Sequence, residues 1–202
     1  MPFKRAGIFC ASRQIEVNYR AVNKHERGAM EALEAIFTRR SVRKFSEREV
    51  ESEKTENLLR AAMQAPSAHN KQPWHFIIIN DRQLLNQIAD FHPYAKMLYE
   101  APQAIAVCGD LGLENNDRYL ALNCAAATQN ILLAAHSQGL GAVWIAVYPR
   151  EERIKKIKLL LDLPLHIIPI SLVAIGYPAH KKAAEDRFDA KKIHVNRWRA
   201  RD

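Results

Sequence analysis

Glycine and cysteine are scarce in this chain, with seven glycines and three cysteines in 202 residues. So few glycines exclude a collagen-like or glycine-rich low-complexity protein. Cys10, Cys108 and Cys124 form no CxxC pair and cannot all pair within one chain, so they read as reduced thiols of a cytosolic protein. Cys108 ends the apolar run 104–108 and Cys124 stands among alanines, the setting of small buried hydrophobes rather than of a nucleophile. No apolar run approaches the roughly 20 residues of a membrane-spanning helix. A GxxxxGK[ST] loop is absent, and Gly139-Leu140-Gly141 leads to Trp144 where a dinucleotide fingerprint needs a third small residue. The histidines fall in no HExxH or CxxC framework, and Ser41, Ser67 and Ser171 lack a GxSxG context. Hydrolytic, metal and Rossmann chemistry are set aside.

What the chain has in excess is positive charge. Its formal net charge of +8 points first to a nucleic-acid partner. The distribution argues otherwise. Residues 1–29 hold six basic and two acidic groups and residues 181–202 hold eight and four, which leaves 16 of each in the body. The body is neutral, and the aromatic residues of the two basic ends, Phe3, Phe9, Tyr19, Phe188 and Trp198, are too few to form a stacking platform, so no nucleic-acid partner is expected.

The length fits one domain. Residues 1–29 show neither helix nor strand periodicity and read as a basic arm or a mis-assigned start, because Met30 precedes the first helical pattern; residues 30–202 form the domain. Met30, Leu33, Ile36 and Phe37 recur at helical spacing up to Arg39. A second helix is predicted over 51–64 with Leu58, Leu59, Ala62 and Met63 on one face, then a strand over 75–79, a helix over 82–91 and a strand over 104–107. The longest periodic segment, 117–138, stacks Leu120, Cys124, Thr128, Ile131 and Ala135 on one stripe, and Gly139 and Gly141 close it at αL-tolerant positions. A strand over 142–147, a charged helix over 151–161 and a last strand over 167–175 complete a layered α/β or α+β domain.

Three stretches carry chemistry. Arg39-Arg40-Ser41-Val42-Arg43-Lys44 combines guanidinium forks with a hydroxyl, which suits a phosphate, although such clusters are also solvated faces. In 65–74, Pro66 and Pro73 bracket a loop rich in amide, hydroxyl and aromatic groups, held extended by the prolines; it could meet a planar heterocycle or be a rigid turn with Trp74 as core anchor. In 139–147 the glycines allow close backbone approach and Trp144 offers a flat surface, although a helix cap entering a core strand accounts for the same residues.

In this order, RRSVRKF (39–45), APSAHNKQPWHF (65–76), GLGAVWI (139–145) and IIPISLVAIGYP (167–178), with Arg197-Trp198 near the end, resemble the FMN-dependent nitroreductase family. The resemblance spans about residues 30–198. It implies an α+β fold with a mixed, mainly antiparallel sheet flanked by helices, in an intertwined cytoplasmic homodimer with FMN at the subunit interface. It implies that Arg39, Arg40 and Ser41 hold the phosphate and ribityl end, that Arg43 lies near the pyrimidine edge, and that Arg197 returns to the phosphate. By the same resemblance Pro66, Ser67, Ala68 and Asn70 reach the partner chain's flavin, while Trp144, Ile145 and the N–H of Ala146 face the isoalloxazine near N5. The implied reaction is ping-pong: NADH or NADPH gives hydride to the flavin, and an electron-poor acceptor such as a nitroaromatic or quinone removes the electrons, with no side chain acting as nucleophile. Reductive dehalogenation, or oxygen-dependent flavin chemistry as in formation of the lower ligand of cobalamin, are alternatives on the same fold. Ala146-Val147 stand where many relatives carry glycine, and Lys96 is undecided as a second cation.

Overall fold

A computed structural model describes residues 30–180 and 183–198, so the expectation for residues 1–29 lies outside the described residues. Helix α1 (Ala32–Thr38) is followed by α2 (Ser52–Met63), strand β1 (Trp74–Ile79), α3 (Arg82–Phe91), β2 (Gln103–Asp110), α4 (Asp117–Ser137), β3 (Gly141–Ala146), α5 (Glu151–Leu160) and β4 (Ile167–Gly176). These agree with the predicted elements within a residue or two, except that β2 runs on to Asp110.

The four strands form one sheet in the order β1-β2-β4-β3, with every pair antiparallel. The mixed character expected of the sheet shrinks to one parallel bridge, Ser41 to Ala142, on the outer edge of β3. Period-two alternation sorts side chains to the two faces. Ala104, Ala106 and Cys108 of β2 join Val143 and Ile145 of β3 in a core with Leu85, Ile88 and Ile157 from α3 and α5. Ile105 and Val107 face the other way, with Leu58 of α2 and with Cys124, Ala127 and Ile131 of α4. The predicted stripe of α4 is buried along its whole length.

Burial pushes the thiols of Cys108 and Cys124 up to about 12, which suits packing and not nucleophilic work; Cys10 lies outside the described residues.

Two expectations are corrected. Met63 is exposed, because α2 packs with Leu58 and Ala62 and turns Met63 away from the sheet. In α1 only Ala35 is buried; Leu33, Ile36 and Phe37 present their apolar surface outward, since the helix touches the rest of the chain mainly at the end of α4.

The glycines flanking Leu140 do different jobs. Gly139 has φ +76°, the left-handed cap that stops α4. Gly141 is no cap: a Cβ there would lie 2.7 Å from a methyl of Val42, so the missing side chain lets the segment after α1 lie against β3.

Candidate functional site

The site grows from that edge. Strand β3 borders only β4, and the Val42 N–H donates to the Ala142 carbonyl at 3.0 Å on its free side. Strand geometry alternates, so the N–H groups of Trp144 and Ala146 face the same outer edge as Ala142. Arg43 follows Val42 along this edge and, with Trp144, Ile145, Ala146, Lys96 and Met97, lines a cavity of about 460 Å³. The guanidinium of Arg43 has no hydrogen-bond partner among the described residues, so its donors are available to a ligand.

Two side chains fix the floor. The Ala146 carbonyl accepts from His92 Nε2 at 3.0 Å and from Arg153 Nη1 at 2.9 Å. The Tyr94 N–H donates to His92 Nδ1 at 3.3 Å, which makes Nδ1 the acceptor and leaves the proton on Nε2. His92 is fully buried, and burial holds its pKa below the ordinary value.

At the other end of the segment, Arg39 is half-buried, and burial lowers its pKa, with further lowering by the charges of Arg187 and Arg40. Burial also lowers His136, and the Arg39 charge adds to it; its Nε2 lies 2.7 Å from Thr38 Oγ1. Three guanidinium groups thus approach one another here, Arg187 being exposed and paired with Glu185 at 3.2 Å, and such a cluster suits an anion. Arg43 stands four positions on from Arg39, about 13 Å in extended chain, so an elongated ligand with one anionic end suits the edge.

The loop after α2 departs from its predicted form. It is not extended by its prolines: His69, Asn70 and Gln72 have φ of 53°, 54° and 48°, a conformation that costs L residues of order 1 kcal/mol or more each. Three bonds impose it. Ser67 Oγ accepts from the Gln72 N–H at 2.9 Å, Asn70 Oδ1 from Gln72 Nε2 at 2.9 Å, and Asn123 Oδ1 from the Ala68 N–H at 2.9 Å. Buried Asn123 keeps its Nδ2 without a partner among the described residues. Trp74 is the core anchor that one reading of the loop expected.

Comparison with known proteins gives the family. The nitroreductase family model matches residues 36–92 and 92–177. The chain belongs to the nitroreductase family. A Methanothermobacter thermautotrophicus protein named for NADH dehydrogenase and NAD(P)H nitroreductase activity is 48% identical over 169 residues, 84% of this chain and 88% of that protein. A crystal structure of a like-named protein from Parabacteroides distasonis superposes with a TM-score of 0.80 at 47% identity, over 83% of this chain and 98% of that one. A Desulfovibrio desulfuricans nitroreductase solved in complex with FMN superposes at 0.72 with 30% identity, over 84% and 99%. The chain is thus an oxidoreductase of this family, and no helix among the described residues is long and apolar enough to cross a membrane.

Within this nitroreductase-family fold the sequence-predicted residues fall into three groups. Arg43, Trp144, Ile145 and Ala146 meet in one cavity. Arg39 and Ser41 lie upstream on the same edge; Arg40 beside them is committed to carbonyls, donating to Ala183 O at 3.2 Å and Glu185 O at 2.8 Å and so tying down the C-terminal segment. Pro66, Ser67, Ala68 and Asn70 do not line this chain's cavity, and Arg197 is exposed on the tail, where Arg187 is the cation that acts on Arg39. Sequence reasoning missed His92, Tyr94 and Arg153, and left Lys96 open. Their only signal was position in a loop and a helix start, which no motif marks.

Proposed function

We propose that this protein is an FMN-dependent oxidoreductase that draws electrons from NADH or NADPH and delivers them at the same site to an electron-poor acceptor such as a nitroaromatic or quinone. Bound FMN would supply the chemistry, accepting a hydride and passing the electron pair on. The observation that carries the reading is the free guanidinium of Arg43 in a cavity whose floor is the outer edge of β3 at Trp144–Ala146.

The chain's own residues fit that cofactor. Arg39, with Ser41 beside it and with Arg40 and Arg187 as neighbouring cations, would hold a phosphate. Arg43 would place a fixed positive charge at the electron-rich edge of a reduced ring. The Ala146 N–H, aimed at the outer edge, would donate to a ring nitrogen, with His92 and Arg153 holding the neighbouring carbonyl in place. Pro66, Ser67, Ala68 and Asn70 lie away from this cavity, which supports a homodimer in which each loop completes the partner's site, with Arg197 arriving on a tail. The exposed apolar side chains of Leu33, Ile36, Phe37 and Leu122 give such a dimer surface to bury.

Titration of apoprotein with FMN, followed by flavin fluorescence, tests the reading. One FMN per chain is expected, with affinity lowered about tenfold or more in Arg39→Ala and in Arg43→Ala. Absence of saturable binding would refute it.

A further inference from the structure

The cavity at the edge of β3 continues past Ala146. A second hollow of about 310 Å³ opens beside it, over the first turns of α5, and Pro93 and Arg153 line both. Arg150, Arg153 and Lys156 recur at three-residue spacing, about 4.5 Å of rise each, and so form a cationic stripe along the groove. Across it lie Phe91 and Pro93.

The charges are not equally available. Lys156 Nζ donates to Glu152 at 2.8 Å and sits 5.5 Å from the centre of the Phe91 ring. Arg153 gives one N–H to the Ala146 carbonyl and keeps others for the groove. The exposed guanidinium of Arg150 has no hydrogen-bond or ion-pair partner among the described residues and makes no cap bond to α5. The two carboxylates here, Glu151 and Glu152, are 85% and 80% exposed and pair with Lys155 and Lys156, so they do not neutralise Arg150.

From these features we infer a subsite for the adenosine end of the reductant, built to select the 2′-phosphorylated form, NADPH. The inference rests on the reading that the first cavity holds the flavin. A nicotinamide over the β3 edge leaves its pyrophosphate at Arg153, the residue common to both hollows. The adenosine then lies along α5 with its base against Phe91 and Pro93, and the 2′-phosphate meets Arg150. A dianionic phosphate matches an unpaired guanidinium, whereas the hydroxyl of NADH gains little from it.

The test compares wild type with Arg150→Ala and Arg150→Lys, all loaded with FMN. The kcat/KM ratio of NADPH to NADH should exceed one in wild type and fall about tenfold in Arg150→Ala, with Arg150→Lys recovering part of it. Calorimetry with adenosine 2′,5′-bisphosphate, which carries no nicotinamide, should show a matching loss, while 5′-AMP shows none. A wild type that prefers NADH, or a ratio and a bisphosphate affinity unmoved by Arg150→Ala, would overturn the subsite. Flavin absorbance of the same samples separates the failures: loaded protein with an unmoved ratio refutes the subsite alone, and protein that takes up no FMN refutes both.

Discussion

His92 Nε2 donates to the carbonyl of Ala146 across 3.0 Å, so a fully buried imidazole 54 residues away holds the peptide at the floor of the cavity. Removing that donor in His92→Ala leaves Arg153 as the remaining support and opens a void. A loss of about 1–3 kcal/mol is expected, read as a lower denaturation midpoint, together with weaker FMN binding. His92→Gln, which keeps an N–H donor, should recover part of both.

The same histidine gives a pH dependence of known sign. Its folded pKa lies below the ordinary value of about 6.5, chiefly through burial, opposed by its bond to Ala146 and lowered further by Arg153. Between the two values the unfolded chain binds the extra proton, so stability rises with pH there. The contribution is complete above about pH 6.5 and is lost as pH falls toward the folded value. His136, lowered mainly by burial and then by Arg39, acts in the same direction. Denaturant midpoints should therefore drop between about pH 7 and pH 5, and the drop should be smaller in His92→Gln.

Much of this architecture was legible in the sequence, because helix and strand periods report burial directly. Leu120, Cys124, Thr128, Ile131 and Ala135 form a stripe in sequence and a buried stripe in space. Periodicity cannot say what a face is buried against, which is why Leu33, Ile36 and Phe37 are exposed in the single chain. The lining of the candidate cavity was legible where it lies in continuous motifs, as at Arg43 and Trp144–Ala146. His92, Tyr94 and Arg153 were not, because their roles arise from tertiary contacts between the end of α3, β3 and α5. The strained loop at His69–Gln72 was hidden for a similar reason: its conformation is imposed by Ser67 and Asn123, not by the prolines.

Gly141→Ala tests the close approach that builds the edge. Its Cβ would meet Val42 at 2.7 Å, so the segment carrying Ser41 and Arg43 must shift from β3. A destabilisation of about 1–3 kcal/mol is expected, with weakened FMN binding; the double variant Gly141→Ala/Val42→Ala should recover part of both.

The phosphate assignment separates two tail residues. Arg187 acts on Arg39 within the chain, and Arg197 would reach a phosphate only on a returning tail. Arg197→Ala should weaken FMN retention several-fold if that tail closes the site, and Arg187→Ala alone should do so if it does not; dissociation constants from fluorescence titration decide between them.

The proposed dimer has its own readout. Sedimentation equilibrium should give twice the chain mass for the wild type, and Ile36→Glu or Leu122→Glu, each placing a charge on exposed apolar surface, should shift the equilibrium toward one chain.

On the proposed function, the edge of β3 holds a flavin that exchanges electrons with a nicotinamide. Anaerobic titration of FMN-loaded protein with NADPH measures that exchange most directly. The flavin band at about 450 nm should bleach with one equivalent per chain and return when a quinone is added. Flavin that stays oxidised under excess NADPH and excess NADH would contradict the account.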